Sequence, residues 1–158
     1  MQQNKKNILK LTRTGKTLDC GCEKLRLFID GNLELLDIPA CSGQPYAQTF
    51  RKAGDDGNIS GSMEPLPQGM YAVDAIEWAS AKDDYNGSWG KGLGPIFVAV
   101  TCAQEHKRGA FGIHLDANRS TAPGTAGCVG ILTLEDLKTL VKALRQVDPK
   151  ALVVDWGL

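Results

Sequence analysis

The sequence carries no net charge and no long apolar run. Eighteen basic residues balance eighteen acidic residues, so no general electrostatic attraction to nucleic acid or to an anionic membrane is expected. No segment approaches the run of about 18 apolar residues that a membrane-spanning helix needs. Charged residues also interrupt the N-terminal stretch in which a signal peptide would be apolar. We therefore expect a soluble protein, made in the cytoplasm without a cleavable signal peptide, with neither nucleic acid nor membrane as partner.

The sequence has five cysteines, an odd number and a low density for a chain of this length, which argues against a disulfide framework. An odd number leaves at least one free thiol, and Cys128 is the candidate for it. Cys20 and Cys22 could begin a zinc site with Cys41 and Cys102, but their Cys-x-Cys spacing departs from the usual Cys-x2-Cys. We predict no cofactor and no metal, and a small metal-binding domain that uses these four cysteines is kept as an alternative.

With 158 residues, the chain has the length of one domain that can bury its own core. Thr133 and Asp136 form a helix N-terminal cap pattern, apolar residues then recur at spacings of three and four, and Asp148-Pro149 ends the predicted helix. Short apolar segments predict strands at 25–30, 33–38, 70–78, 96–102, 110–114 and 151–156. These elements predict a mainly β (α+β) domain over residues 25–158, preceded by an N-terminal extension over residues 1–24.

One histidine and one cysteine stand on either side of a polar loop. His114 ends a short strand pattern, and Cys128 follows a loop of small and polar residues, with Gly127 and Gly130 beside it. A thiol attacks carbonyls as thiolate, and a neighbouring imidazole is the usual means of forming the thiolate near neutral pH. The pattern predicts a cysteine nucleophile with His114 as its base, whereas His106, in a charged turn, is predicted to be a surface residue. A buried structural cysteine and histidine is the alternative interpretation.

These residues resemble the catalytic domain of the L,D-transpeptidases, the YkuD-type family of cysteine enzymes that act on peptidoglycan. The family pattern is a strand ending in His-Gly, a variable loop and then Ser-His-Gly-Cys-Ile/Val-Arg, to which His114 and residues 125–130 are similar. Residues 65–73 are similar to the family's Thr-Pro-x-Gly-x-Phe/Tyr segment, and residues 33–43 to its strand leading into a Ser/Thr-Gly turn. The resemblance covers residues 25–156 and implies an L,D-transpeptidase-like β-sandwich with one helix near the C terminus.

The resemblance also implies acyl transfer on a peptidoglycan stem peptide. His114 takes the proton of Cys128, the thiolate attacks the carbonyl of the L-centre of a diaminoacid, and D-alanine leaves. The thioester then passes to an amine, as in transpeptidase exchange, or to water, as in carboxypeptidase action. The backbone N–H at Gly127 is the candidate donor to the oxyanion. The candidates for binding the stem peptide are Arg119, Ser120 and Thr125.

Three positions depart from the family pattern. Leu115 stands in place of the glycine after the histidine, Ala126 in place of a histidine, and Gly130 in place of an arginine. Such losses are more similar to the divergent branches among phage lytic proteins and secreted antibacterial effectors. This likeness implies action in the periplasm or on the cell wall after release, with an immunity protein or a secretion or lysis partner. A catalytically inactive module that binds cell-wall peptide on the same fold is the alternative.

Overall fold

The computed structural model describes residues 7–55, 57, 59–103 and 110–158, so His106 lies outside the described residues. Within these ranges the chain is mainly β with one helix near the C terminus, which confirms the predicted class. The helix in the described part of the chain is neither long nor apolar enough to cross a membrane. The elements are β1 (Leu9–Thr17), β2 (Glu23–Ile29), β3 (Asp37–Ser42), β4 (Gly69–Trp78), β5 (Ile96–Cys102), β6 (Phe111–Leu115), β7 (Val129–Ile131), α1 (Leu134–Val147) and β8 (Ala151–Asp155).

The strands form one closed barrel in the order β1-β2-β3-β7-β6-β5-β4-β8. Two neighbouring pairs are parallel, β1 with β8 and β6 with β7, and the other pairs are antiparallel. The resemblance implied a sandwich of two sheets, whereas this sheet closes because β8 pairs with both β1 and β4. Closure gives each of these strands two neighbours and leaves no open sheet edge.

The first strand lies within the predicted N-terminal extension. β1 pairs with β2 and with β8, and its Leu9 and Leu11 are fully buried in the core. The domain therefore begins at Leu9 or before it, and the predicted boundary at residue 25 is corrected. Only two apolar side chains alternate among basic and polar residues in this segment, so the strand signal in the sequence is weak.

β3 begins later in the chain than predicted. Residues 33–36 form a turn in which Leu33 is exposed, and the strand runs from Asp37 to Ser42. Its far end pairs with β7, where Cys41 lies opposite Gly130. Residues 41–43 therefore lie beside the loop that precedes Cys128, here called the cysteine loop.

The helix α1 matches its predicted bounds and cap. The backbone N–H of Asp136 donates to the Thr133 hydroxyl at 3.1 Å, and the helix ends at Asp148, which adopts a left-handed conformation. The buried face of α1 joins the core that fills the barrel, and each buried leucine contributes about 1.5–3 kcal/mol. Its buried residues are Leu137, Leu140, Val141, Ala143 and Leu144.

Candidate active site

The parallel pair of β6 and β7 places His114 beside the segment that contains Cys128. His114 lies opposite Gly130, while the neighbouring pair, Ile113 and Val129, is fully buried in the barrel core. Cys128 lies in the bend directly before β7. Extending the alternation of β7 back by one residue, we expect Cys128 on the side of His114, with the two Cα atoms about 8 Å apart, from spacings of about 4.8 Å between strands and 3.3 Å per residue. The predicted base therefore lies on the strand next to the one that the predicted nucleophile precedes.

The His114 ring is held in a defined orientation. It is 4% exposed and stacks on the Phe97 ring, with centroids 6.1 Å apart. Its Nδ1 lies 2.7 Å from the Leu115 carbonyl oxygen. A carbonyl oxygen only accepts hydrogen bonds, so Nδ1 carries the proton and Nε2 keeps its lone pair. His114 therefore has the tautomer that a general base at Nε2 requires.

Burial sets the protonation state of this histidine. Removal from water lowers the pKa of His114 below its ordinary value, and the hydrogen bond to Leu115 and the charge of Asp116 oppose this shift less strongly. At neutral pH the ring is consequently neutral and able to accept a proton.

The Thr125 hydroxyl holds the backbone of the loop before Cys128. It donates to the Cys128 carbonyl oxygen at 2.7 Å and accepts from the N–H groups of Gly43 at 3.0 Å and Gly127 at 3.2 Å. These three bonds use the full capacity of a hydroxyl, and Thr125 is only 5% exposed. The structure therefore places Thr125 inside the loop instead of on the predicted substrate face.

Ser42 supports the same loop from β3. Its hydroxyl accepts from the Leu66 N–H at 2.8 Å and lies 2.9 Å from the Cys128 carbonyl oxygen and 3.1 Å from that of Gly127. Ser42 is fully buried. Ser42 is not among the site residues predicted from the sequence, although the Ser-Gly turn that contains it is part of the family resemblance.

The predicted oxyanion donor, the Gly127 N–H, already has a partner. It donates to Thr125 within the loop, and Gly127 has a φ of 128°, a conformation that favours glycine. Stabilisation of an oxyanion by this N–H would require the bond to Thr125 to break as the substrate binds.

Replacing Thr125 by valine is expected to destabilise the protein by about 1–3 kcal/mol, because the buried N–H groups of Gly43 and Gly127 would lose their acceptor. Urea unfolding measures the loss. Thr125→Ser keeps the hydroxyl and is the matched control, with an expected loss smaller than that of the valine variant. Equal losses in the two variants would show that the methyl group contributes as much as the hydroxyl and would contradict the prediction.

Arg119 and Ser120 lie in a different place from the one predicted. They line a cavity of about 620 Å³ together with Cys20, Asp116 and Leu132, and neither His114 nor Cys128 lines it. Leu132 follows β7, whereas Cys128 precedes it, a separation of about 13 Å along an extended strand. Arg119 and Ser120 therefore line a cavity that neither the predicted nucleophile nor the predicted base lines.

The position of the missing family arginine is tightly packed. A Cβ atom at Gly130 would lie 3.0 Å from the Cys41 sulfur, 3.1 Å from Thr125 Cγ2 and 3.2 Å from Asp116 Cβ. Its neighbours would have to shift even for alanine, so an arginine does not fit here without rearrangement. The side chains of Cys41, Thr125 and Asp116 thus occupy the space beside Gly130.

All five cysteines are free thiols. Among the described residues, no group of three or more histidine, cysteine, aspartate or glutamate side chains is arranged to hold a metal ion. Cys102 ends β5, which is separated from β3 and its Cys41 by β6 and β7. The four-cysteine zinc site considered from the sequence is therefore not formed in the described part of the chain.

Comparisons with family models, curated proteins and solved structures find no match for this chain.

Proposed function

We propose that this protein is a cysteine acyl-transfer enzyme that acts on peptidoglycan stem peptides, with L,D-carboxypeptidase or L,D-transpeptidase exchange activity, on an L,D-transpeptidase-like fold. The observation that carries the proposal is the hydrogen bond between His114 Nδ1 and the Leu115 carbonyl. It leaves Nε2 as the base on the side of the sheet where we expect Cys128. The choice of stem peptides as substrate depends on the resemblance of the sequence to the L,D-transpeptidases.

In the proposed reaction, His114 Nε2 takes the proton of the Cys128 thiol, and the thiolate attacks the carbonyl carbon at the L-centre of the diaminoacid. As the tetrahedral intermediate collapses, the bond to D-alanine breaks, and the leaving amine takes the proton from His114. A thioester remains on Cys128. Water or an incoming amine then attacks it, gives its proton to His114 and releases the acyl group, after which Cys128 recovers its proton.

We expect trimming or exchange of stems to exceed the building of cross-links. Ala126, at the family's second histidine position, is exposed and supplies no imidazole group. Water therefore reaches the thioester more easily, and an incoming diaminoacid is held less firmly. Gly130, where the resembled family carries an arginine, adds no open space, because Cys41, Thr125 and Asp116 fill the space around it. The wider access is therefore expected beside Ala126.

Incubation with purified sacculi, followed by mass analysis of the released muropeptides, tests this function. We expect tripeptide stems or stems in which D-alanine has been exchanged, and no change with Cys128→Ala. Accumulation of new dimers joined through two diaminoacids would contradict the preference for trimming. No product from the wild type, together with no adduct on Cys128 after exposure to a carbapenem-type acylating agent, would favour the inactive binding module.

We expect iodoacetamide to alkylate Cys128 faster than the other cysteines at neutral pH. Cys22 and Cys41 are 0% exposed, whereas Cys128 is partly exposed and is expected on the side of His114. Peptide mapping by mass over a time course identifies the modified residue, and His114→Ala should slow the reaction at Cys128 alone. Faster alkylation at Cys20 or Cys102, which are also partly exposed, would show that the proposed nucleophile is not activated.

The role as a lytic protein or antibacterial effector, with an immunity protein or a secretion or lysis partner, is part of the same proposal and depends on the family resemblance. It places the reaction in the periplasm or on the cell wall. Expression directed to the periplasm of a Gram-negative host tests it: growth should stop with the wild-type protein and continue with Cys128→Ala.

A further inference from the structure

A second group of thiols lies outside the proposed catalytic pair. Cys20, Cys22 and Cys41 are here called the thiol cluster, because the pKa of the Cys22 thiol responds to both of the other thiols. The Cys22 sulfur also lies 3.8 Å from the Gly43 carbonyl oxygen, and the Cys41 sulfur lies 3.8 Å from a carboxylate oxygen of Asp116. Three thiols are thus grouped where β3 ends and β2 begins.

A tight turn brings two of these thiols together. The Leu18 N–H donates to the Cys22 carbonyl at 2.8 Å, and the Gly21 N–H donates to the Leu18 carbonyl at 2.9 Å. Gly21, between the two cysteines, has a φ of 105°, which a residue with a side chain rarely adopts. The glycine therefore allows the chain to fold Cys20 and Cys22 toward each other.

The members of the thiol cluster differ in exposure. Cys22 and Cys41 are 0% exposed, whereas Cys20 is partly exposed and lines the cavity of about 620 Å³ that also contains Arg119. A reagent from solution can therefore reach Cys20, whereas Cys22 is buried.

The thiols also differ in acidity. Hydrogen bonding from Cys41, more than that from Cys20, lowers the pKa of Cys22 to about 7, against the opposing effect of burial. The hydrogen bond to Cys22 and then burial raise the pKa of Cys41. Cys41 therefore stays protonated, whereas the Cys22 thiol loses its proton more readily than an ordinary thiol.

The cavity beside Cys20 has charged groups of both signs. Arg119 lines it, and the Nη1 atom of this arginine is buried with no hydrogen-bond partner among the described residues. A buried guanidinium nitrogen without a partner is costly, and a carboxylate supplies the matching acceptor. Asp19 and Asp116 also line the cavity and could receive an ammonium group. The lining suits a small molecule that carries carboxylate and ammonium groups.

We infer that the thiol cluster is a second reactive site, at which Cys20 and Cys22 form a disulfide by exchange with a small zwitterionic disulfide bound against Arg119. Oxidised glutathione is a representative of this chemical class. The inference does not depend on the proposed acyl transfer, because it involves neither Cys128 nor His114.

The exchange has two balanced steps. The Cys20 thiolate attacks one sulfur of the reagent, which leaves a mixed disulfide on Cys20 and releases the first reagent thiol with the proton that Cys20 lost. The Cys22 thiolate then attacks the Cys20 sulfur, which forms the Cys20–Cys22 disulfide and releases the second reagent thiol. Two protein thiols are oxidised, and one reagent disulfide is reduced to two thiols.

The test uses the full chain carrying Cys128→Ala, so that the proposed nucleophile cannot react. The protein is incubated with oxidised glutathione, its remaining thiols are blocked, and its peptides are mapped by mass. We expect a Cys20–Cys22 disulfide in this protein. With Cys22→Ser added, the reaction should stop at the mixed disulfide between Cys20 and glutathione. With Cys20→Ser added, no disulfide should form in the thiol cluster. With Cys102→Ser added, the Cys20–Cys22 disulfide should form as before.

Arg119 is tested with a matched pair of reagents. Arg119→Gln should slow the reaction with oxidised glutathione about tenfold, as expected for the loss of roughly 1.4 kcal/mol from a charged hydrogen bond. The uncharged reagent hydroxyethyl disulfide should react equally with both proteins. A bond between Cys22 and Cys41, absence of the mixed disulfide on Cys20 in the Cys22→Ser protein, or equal slowing with both reagents would overturn the inference.

Discussion

Replacing Cys128 by alanine is expected to abolish acyl transfer, and replacing His114 by alanine to lower its rate by about 10²- to 10⁴-fold, the range typical of a general acid and base. The thiol forms the covalent bond, so no residue can replace it. The histidine accelerates formation of the thiolate and protonation of the leaving amine, and a slow reaction persists without it. Both effects are measured as the rate at which a carbapenem-type reagent acylates the protein, followed by mass spectrometry of the intact protein.

Two variants control for structural damage. His114→Asn keeps a side-chain donor for the Leu115 carbonyl but has no base, so we expect it to be as slow as His114→Ala. His106→Ala removes the only other histidine of the sequence, and we expect it to leave the rate of acylation nearly unchanged. Equal losses at the two histidine positions would contradict the assignment of His114 as the base.

The dependence on pH gives a second test of the base. Only the neutral ring accepts a proton, and burial lowers the pKa of His114. Activity should therefore be retained as the pH falls to the ordinary histidine value, and be lost only below it, as the ring becomes protonated. The pH profile of kcat/KM, which reports the ionisation of groups in the free enzyme, measures this loss of activity at low pH. Loss of activity well above the ordinary histidine value would show that another group controls the reaction.

Gly43→Ala is expected to destabilise the protein by roughly 2–5 kcal/mol and to reduce activity as well. Gly43 has a φ of 76°, where a side chain costs about 1–2 kcal/mol. A Cβ atom there would also lie 2.7 Å from the backbone nitrogen of Pro65, and such overpacking costs about 1–3 kcal/mol more. Gly43 exchanges two hydrogen bonds with Thr125, so the strain reaches the cysteine loop directly.

Gly15→Ala is the matched control for this prediction. Gly15 has the same φ of 76°, but its added Cβ would meet nothing within 4 Å. Its loss in urea unfolding should therefore be about 1–2 kcal/mol, the conformational part alone. A similar loss in both variants would mean that the backbone near Pro65 moves aside at little cost.

Much of the secondary structure is predictable because its signals are local. The helix and the strands β4, β5 and β6 each show their periodicity within their own residues. β1 was missed because Leu9 and Leu11 are its only buried residues among charged and polar neighbours. The closure of the barrel depends on β8 pairing with β1 across nearly the whole chain, and such pairings leave no local pattern in a sequence.

The candidate site divides in the same way. His114 and Cys128 could be selected because a strand end and a glycine-rich loop are both visible in the sequence. The support from Ser42 depends on a contact between β3 and β7, and no spacing along the chain reveals it. Arg119 lines a cavity together with Cys20, and Thr125 accepts a hydrogen bond from Gly43. Both neighbours are far away in the sequence, so the orientation of these two side chains could not be predicted from it.

The parallel pairing of the first and last strands has a consequence for the order in which the protein folds. Leu9 pairs with Leu152, so the barrel cannot close until β8 has left the ribosome. Bringing such distant segments together is slow, because the entropy of closing the intervening loop is lost before the contact is made. Ribosome-bound nascent chains that stop before β8 should therefore remain open to proteases, which would keep the Cys128 site unformed until β8 has left the ribosome.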